Sequence, residues 1–324
     1  MNRLIHGDCL IEMPKLIKEG VKVDLVVIDP PYNIKKAEWD KWEKQDDYIE
    51  WLGSVFLECQ RILKDNGSFY FFHNDFLQIV GLQNWINKNT KFVFRQLIVW
   101  NKKFSGCKNE GFLQGYNEVE MLRNYQKMAE YCLYYTFQDE TGLTTAMLNI
   151  NNFSSLRKYF KGYQKDTGLN KKQIIDLVGQ KADHCFRWGS SQWDLPTKET
   201  YNELLKLPHN NGFLRKEYED LRKEYEDLRY TFNNQKTHHS VWNYEVEQQN
   251  GHITPKPVDL IENIIKYSSN ENNLVLDCFS GSGTTAIACM NTNRNYICIE
   301  KDEKYFELGK KRVENHKPQI KMAI

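Results

Sequence analysis

Asp29-Pro30-Pro31-Tyr32 follows the apolar run Leu25-Val26-Val27-Ile28, and its residue types suit one kind of chemistry. An exocyclic amino nitrogen of adenine or cytosine is a poor nucleophile, because its lone pair is conjugated into the ring. A carboxylate at Asp29 and the carbonyl of Pro30 can each accept one amino hydrogen, which frees that lone pair for attack on an electrophilic carbon. Proline removes a backbone donor and fixes the turn, so the carbonyl can point into a site. Tyr32 offers a flat face on which a base taken out of a helix can stack. A buried strand closed by a Pro-Pro turn and a surface tyrosine would give the same four residues without any chemistry.

A second motif lies far downstream, at Asp277-Cys278-Phe279-Ser280-Gly281-Ser282-Gly283-Thr284-Thr285. It reads as a strand, a tight glycine turn and a helix start, where free backbone N–H groups face a ligand. Gly281 and Gly283 permit close backbone approach and unusual dihedrals. Glu300 ends the next strand-like run, about 20 residues beyond the turn, where a carboxylate can accept both hydroxyls of a ribose. The glycines alone suit several nucleoside cofactors. Asp277 narrows the choice, since an acid there binds the ammonium of a methionine-like tail and repels a pyrophosphate.

The elements that must position these groups alternate between strand and helix. Strands are predicted at Leu4–His6, Val23–Ile28, Ser68–Phe72, Phe92–Trp100, Tyr131–Phe137, Leu274–Phe279 and Tyr296–Ile299. Helices are predicted at Leu10–Lys18, Asp46–Leu63 (closed by Asn66-Gly67), Phe76–Ile86, Pro257–Tyr267, Thr284–Asn291 and Tyr305–Val313. The continuous apolar runs fit buried parallel strands in an α/β sheet with helices on both faces. The pattern changes in the middle of the chain. Thr144–Tyr163 is polar and indistinct, while Asn170–Leu177, Gly179 and Ala182–Trp188 read as helix, turn, helix. That is either a DNA-reading helix-turn-helix or an ordinary helical hairpin. Residues 215–228 write Arg-Lys-Glu-Tyr-Glu-Asp-Leu twice, which places Tyr218, Leu221, Tyr225 and Leu228 on one helical stripe. Two heptads are too few for an independent coiled coil, so a surface helix packed by this stripe is expected. The resulting division is 1–140 and 251–318 as two halves of one sheet domain, with 141–250 inserted, containing a helix-turn-helix-like 168–195 and a helical repeat 213–230.

Lys and Arg number 44 against 43 Asp and Glu, a net charge of +1 over 324 residues. A nucleic-acid partner therefore requires charge segregated onto one face. Residues 154–195 hold eight Lys/Arg against four Asp, and 95–109 hold Arg95, Lys102, Lys103 and Lys108 with no acid. Lys171, Lys172, Arg187, Trp188, Ser190, Ser191 and Gln192 are candidates for base or phosphate contacts on physical grounds. The eight cysteines form no Cys-x-x-Cys pair, which argues against a disulfide framework or zinc site. His184 and Cys185 lack further ligands, so no metal is expected. The N-terminus has no long apolar run, and no stretch approaches membrane-spanning length. A cytoplasmic protein is the expectation.

Taken together, the motifs resemble those of the β-class S-adenosylmethionine-dependent DNA amino-methyltransferases, the adenine-N6 and cytosine-N4 family. The catalytic motif of that family matches Asp29–Tyr32, and its cofactor motif matches Asp277–Thr285. Ile299-Glu300 matches its ribose-side motif, Gly7-Asp8-Cys9 the element before the catalytic strand, and His252-Ile253-Thr254-Pro255-Lys256-Pro257 its His-x-x-x-Lys-Pro element. The resemblance implies a Rossmann-like, seven-stranded, mostly parallel sheet with one reversed strand, and target recognition in the inserted, mainly helical region. It also implies that Asp8 and Cys9 reach the cofactor adenine, Glu300 the ribose, and Asp277 with Phe279, Ser280, Gly281, Ser282, Gly283, Thr284 and Thr285 the methionine part. His252 and Lys256 lie near that site. The implied partners are S-adenosylmethionine and double-stranded DNA, with a cognate restriction endonuclease in a restriction-modification setting (or an orphan enzyme without one) and a homodimer as further options. Asp at the head of the catalytic motif favours adenine N6, and cytosine N4 stands as the alternative. Carbon-5 methylation would use a Pro-Cys pair, and none of the eight prolines is followed by cysteine. A binding-only regulator would not need both chemical motifs.

Overall fold

The structure, a computed structural model, describes residues 1–35, 40–108, 125, 128–137, 153–189, 193–228, 230–233, 239–247 and 255–316. The chain divides into two compact units, Met1–Phe137 with Thr231–Ile324, and Gln138–Tyr230. The first is an α/β sheet unit. Its strands are β1 (Asn2–His6), β2 (Val23–Ile28), β3 (Leu63–His73), β4 (Val93–Asn101), β5 (Ala129–Thr136), β6 (Val241–Asn243), β7 (Leu274–Asp277) and β8 (Asn295–Glu300). They form one sheet in the order β1-β8-β7-β2-β3-β5-β4-β6. Only β5 is reversed, antiparallel to both β3 and β4.

Side chains of β2 alternate between two cores, as a strand buried on both faces requires. Val26 and Ile28 join the core under α1 (Cys9–Lys18), α2 (Gln45–Ile62) and α3 (Phe76–Asn89). Leu25 and Val27 join the opposite core with α8 (Val258–Ser268) and α9 (Thr284–Asn291). Leu25 and Val26 pair with Val275 and Leu276 of β7, and Leu276 and Asp277 pair with Ile297 and Cys298 of β8. Because all three strands run parallel, their carboxyl ends open on one edge, which is where such sheets bind ligands. The N-terminal and C-terminal parts of the sequence are thereby interleaved in one sheet. A last helix of the unit, α10 (Glu303–Glu314), follows β8.

Four expectations need correction. The sheet has eight strands rather than seven. The eighth, β6, pairs with β4 (Val99↔Val241) and is pinned by the buried Trp242, so the sheet unit resumes at Thr231 rather than at 251. Asn66-Gly67 does not close α2 but lies inside β3, where a Cβ on Gly67 would come within 2.6 Å of the Leu63 side chain and 3.0 Å of the Asp24 carbonyl. In the second unit, α4 (Ser154–Thr167) begins inside the polar stretch and runs past its end, and α6 (Lys198–Lys206) lies beyond it.

The helix-turn-helix is the fourth correction. Its first helix exists as α5 (Lys171–Val178), opened by a reciprocal Asn170–Gln173 capping box. Its second helix does not. Gly179, at φ 97°, ends α5, and Gln180–Ala182 and His184–Phe186 are separate 3₁₀ turns. The buried residues Ala182 and Cys185 are three apart, the period of a 3₁₀ turn. The Trp193 indole then takes the Cys185 carbonyl at 2.8 Å, the acceptor that a continuing helix would need. The repeat forms α7 (Tyr218–Asp227), with Leu221 and Tyr225 buried in the core of this unit. Arg215 and Lys216, at the head of its first copy, instead donate their N–H groups to the Tyr159 hydroxyl.

Candidate active site

A cavity of about 530 Å³ opens at the carboxyl ends of β2, β7 and β8, and both motifs line it. Asp29, Pro30, Pro31 and Tyr32 form one side. Asp277, Phe279, Ser280, Gly281, Ser282, Thr284, Thr285 and Glu300 form another. Trp42, Trp51 and Tyr305 also line it, as do Glu130, Lys256 and Lys301.

The catalytic motif sits in a web of hydrogen bonds. The Tyr32 hydroxyl donates to Asp29 Oδ1 at 2.5 Å, and Lys256 Nζ donates to Asp29 Oδ2 at 2.5 Å. Lys256 also lies 3.3 Å from Glu130 Oε2, and Lys102 pairs with the other Glu130 oxygen. Two carboxylates and two ammonium groups thus form a neutral cluster. Burial opposes ionisation of Glu130, but Lys256 and Lys102 outweigh it and hold the carboxyl at about 2. Burial likewise works against the Lys256 charge, and Asp29 and Glu130 keep its ammonium above the ordinary lysine value. Burial, with Asp29 and Glu130 beside it, pushes the Tyr32 hydroxyl well up, so it remains a donor.

The turn itself is fixed from behind. His73 Nδ1 accepts the Asp75 N–H at 3.0 Å, which puts its proton on Nε2. That proton faces the Tyr48 hydroxyl at 2.9 Å, and Tyr48 donates onward to the Pro31 carbonyl at 2.8 Å. The Pro31 carbonyl is therefore used internally. The Pro30 carbonyl has no hydrogen-bond partner among the described residues. The next loop is organised by the buried Asp40, whose carboxylate accepts the N–H groups of Asn33 (2.6 Å) and Ile34 (3.3 Å). Asn33 in turn accepts the Trp42 N–H, which aims this segment at the cavity.

On the other side, Asp277 accepts the Phe279 N–H at 3.0 Å and the Thr285 hydroxyl at 2.5 Å. Burial pushes its carboxyl up to about 7. Glu300 accepts the Gly281 N–H at 2.7 Å and the Asp302 N–H at 2.8 Å, and burial raises it as well. Gly281 and Gly283 both adopt positive φ, 50° and 79°. A Cβ on Gly283 would meet Gly309 of α10 at 3.3 Å, so the turn fits against this helix only as glycine. Gly283 backs onto α10 and does not line the cavity.

Other expected residues are placed differently. Asp8 caps α1 through the Leu10 N–H and pairs with Lys301, and it is Lys301 that lines the cavity. Cys9 is buried in the core beneath, and all eight cysteines are buried free thiols. Lys256 lines the same cavity as the glycine turn, with its ammonium on Asp29. His252 lies outside the described residues, as do Ser190, Ser191 and Gln192. In the second unit, Lys171 and Arg187 both bind Asp183, the first at 2.5 Å, and Trp188 donates to Gln164 at 2.8 Å. Lys171 first, and Arg187 with it, hold the Asp183 carboxyl below its ordinary value. Lys172 is exposed. Glu130 was not anticipated from the sequence, although a carboxylate inside the apolar run of β5 is a signal that could have found it. Trp42, Trp51, Tyr48 and His73 gave no such signal. Among the described residues no group of three or more His, Cys, Asp or Glu could hold a metal, and no helix is long and apolar enough to cross a membrane.

A family model for N6/N4-type DNA methylases matches residues 23–311. The chain belongs to this family. It is 28% identical over 310 residues to the type II methyltransferase M1.MboII of Moraxella bovis, covering 94% of each chain. It is 27% identical to the DNA adenine methyltransferase YhdJ of Escherichia coli, over 96% of this chain and 82% of that one. Among solved structures, the M1.HpyAVI complex with S-adenosylmethionine superposes with a TM-score of 0.53 at 19% identity, covering 97% and 99% of the two chains. The cytosine-N4-specific PvuII methyltransferase superposes at 0.54 with 14% identity, covering 98% and 88%. These two likenesses concern the fold.

Proposed function

We propose that this DNA methylase transfers a methyl group from S-adenosylmethionine to N6 of an adenine flipped out of duplex DNA, in a restriction-modification or orphan modification system. The supporting observation is that Asp29 and the Pro30 carbonyl, which has no hydrogen-bond partner among the described residues, share one cavity with Asp277, Glu300 and the glycine turn. The residues present fit this cofactor. Asp277 is a buried carboxylate suited to the ammonium of the methionine part, Glu300 suits the ribose hydroxyls, and Gly281, at positive φ, brings bare backbone to the cavity wall between them. When bound, S-adenosylmethionine supplies an electrophilic methyl group on a sulfonium.

The chain's own residues prepare the nucleophile. A carboxylate offers about four lone-pair sites. Tyr32 and Lys256 occupy one on each Asp29 oxygen, which leaves acceptor capacity for one amino hydrogen while the Pro30 carbonyl takes the other. The two donors hold the carboxylate ionised and oriented, so it need not reorganise when the amino group arrives. The target must leave the stack, because its amino group is inaccessible inside a duplex. Transfer is direct, with no covalent enzyme intermediate. The unit Gln138–Tyr230 is the proposed target-recognition region.

Asp at the head of the motif and the similarity to YhdJ support adenine. The likeness of fold to the PvuII enzyme keeps cytosine N4 as a second reading. Digestion to nucleosides of DNA incubated with the protein and labelled S-adenosylmethionine separates them. Label in N6-methyladenine is expected, and label confined to N4-methylcytosine would overturn the adenine assignment.

A further inference from the structure

We propose that Glu130 is a positioning residue of this site, a strand-borne anchor that shares Lys256 with Asp29 and thereby sets the direction of the Asp29 carboxylate. Asp29 stands on a loop, beyond the end of β2, while Glu130 is held in β5 by its register opposite Trp100 of β4. Only 5% of Glu130 is exposed, and a carboxylate taken that far from water costs several kcal/mol unless it is paired on both oxygens. Here it is. Lys102, just past the end of β4, binds Oε1, and Lys256 faces Oε2 at 3.3 Å. The Tyr32 hydroxyl lies between the two carboxylates, 2.5 Å from Asp29 and 3.3 Å from Glu130. Lys256, the cation that holds Asp29, is therefore itself tethered to Glu130. Packing alone would be served by an apolar side chain in this otherwise apolar strand.

The charge count makes the role testable. Asp29, Glu130, Lys102 and Lys256 balance as two negatives against two positives. Neutralising Glu130 alone leaves two ammonium groups competing for Asp29. Neutralising Glu130 and Lys102 together restores the Asp29–Lys256 pair.

The inference rests on the assignment of Asp29 to methyl transfer, so the test is run beside wild type and Asp29→Ala. Single-turnover transfer from labelled S-adenosylmethionine to a long unmethylated duplex is measured with the cofactor dissociation constant. Glu130→Gln is expected to lower turnover by roughly tenfold, the effect of about 1.4 kcal/mol on the barrier, with cofactor affinity changed by less than about threefold. Glu130→Gln/Lys102→Met is expected to regain most of that loss, with cofactor bound at full stoichiometry in every variant, so that loss and rescue lie in turnover and not in the amount of folded protein. Wild-type turnover in Glu130→Gln, or a double variant no better than the single one, would overturn the proposal. If Glu130→Gln does not fold, the comparison is made from Lys102→Met, which the double variant must exceed in turnover. Full activity in Asp29→Ala would instead remove the underlying reading of the site.

Discussion

At the scale of single residues, the hydroxyl of Tyr32 carries more than its ring suggests. The sequence reads this residue as a stacking face, yet its O–H is committed to Asp29, and His73 tilts against the ring with centroids 4.8 Å apart. A hydrogen bond to a charged group contributes about 1.5–3 kcal/mol. Tyr32→Phe keeps the ring and removes that bond, so turnover is expected to fall by roughly tenfold or more, with little change in the KM for DNA. Steady-state kinetics decide it, and a fully active Tyr32→Phe would leave only the ring to matter. Asp277 makes a second prediction. Its carboxyl is raised from 3.8 to about 7 by burial, so the folded state binds its proton more tightly than the unfolded chain does. The stability from this group is present below about pH 4 and is lost as pH rises through about 7. A cationic ammonium brought against Asp277 favours the carboxylate. Cofactor affinity is therefore expected to rise between about pH 6 and 8, with up to about one proton released per molecule bound at the acid end. Calorimetry in buffers of different ionisation enthalpy measures that proton, and Asp277→Asn is expected to abolish both the release and the slope.

At the scale of elements, α2 and α3 cross closely beside the catalytic strand. A Cβ on Gly53 of α2 would come within 2.4 Å of the Trp85 ring on α3. That ring is stiff, so Gly53→Ala is expected to destabilise the protein by about 1–3 kcal/mol, read as a lower denaturation midpoint at constant m-value. An unchanged midpoint would mean the helices can part freely. The elements that build the site were legible in the sequence wherever local signals agreed with burial. Val23–Ile28 is one uninterrupted apolar run, and Thr284–Asn291 starts at the glycine turn and ends at its polar limit. Where stability comes from distant partners, the signal fades. β6 is three residues long and depends on β4 and one buried tryptophan. α4 carries its buried Leu156, Phe160, Tyr163 and Thr167 as a stripe one residue wide among polar neighbours. The candidate site shows the same division. Asp29 and Glu300 announce themselves at strand ends, whereas Glu130, Tyr48 and His73 matter only because β3, β5 and α2 bring them behind the Pro-Pro turn.

At the scale of the whole molecule, a net charge of +1 makes the placement of free charge more telling than its amount. The second unit shows which basic residues remain available. Lys171 and Arg187 are held by Asp183, Lys181 by Glu203 and Lys198 by Glu219. Lys158 and Lys165 of α4 and Lys172 of α5 are exposed and have no ion pair among the described residues. A duplex brought to this unit would meet lysines such as these, which lie on neighbouring helices, rather than the ones whose charge is already neutralised. Removing one lysine that neutralises a phosphate reduces the slope of log affinity against log salt by about 0.9. Replacing Lys158, Lys165 and Lys172 together with Gln is expected to reduce that slope by roughly two to three and to weaken all duplex sequences alike. The cofactor dissociation constant is expected to stay unchanged, because every described residue that lines the cavity belongs to the other unit. Titrations at several salt concentrations give the slope. An unaltered slope would take Lys158, Lys165 and Lys172 out of DNA binding and move the search to Lys161, Lys206 and Lys223, which are also exposed in this unit.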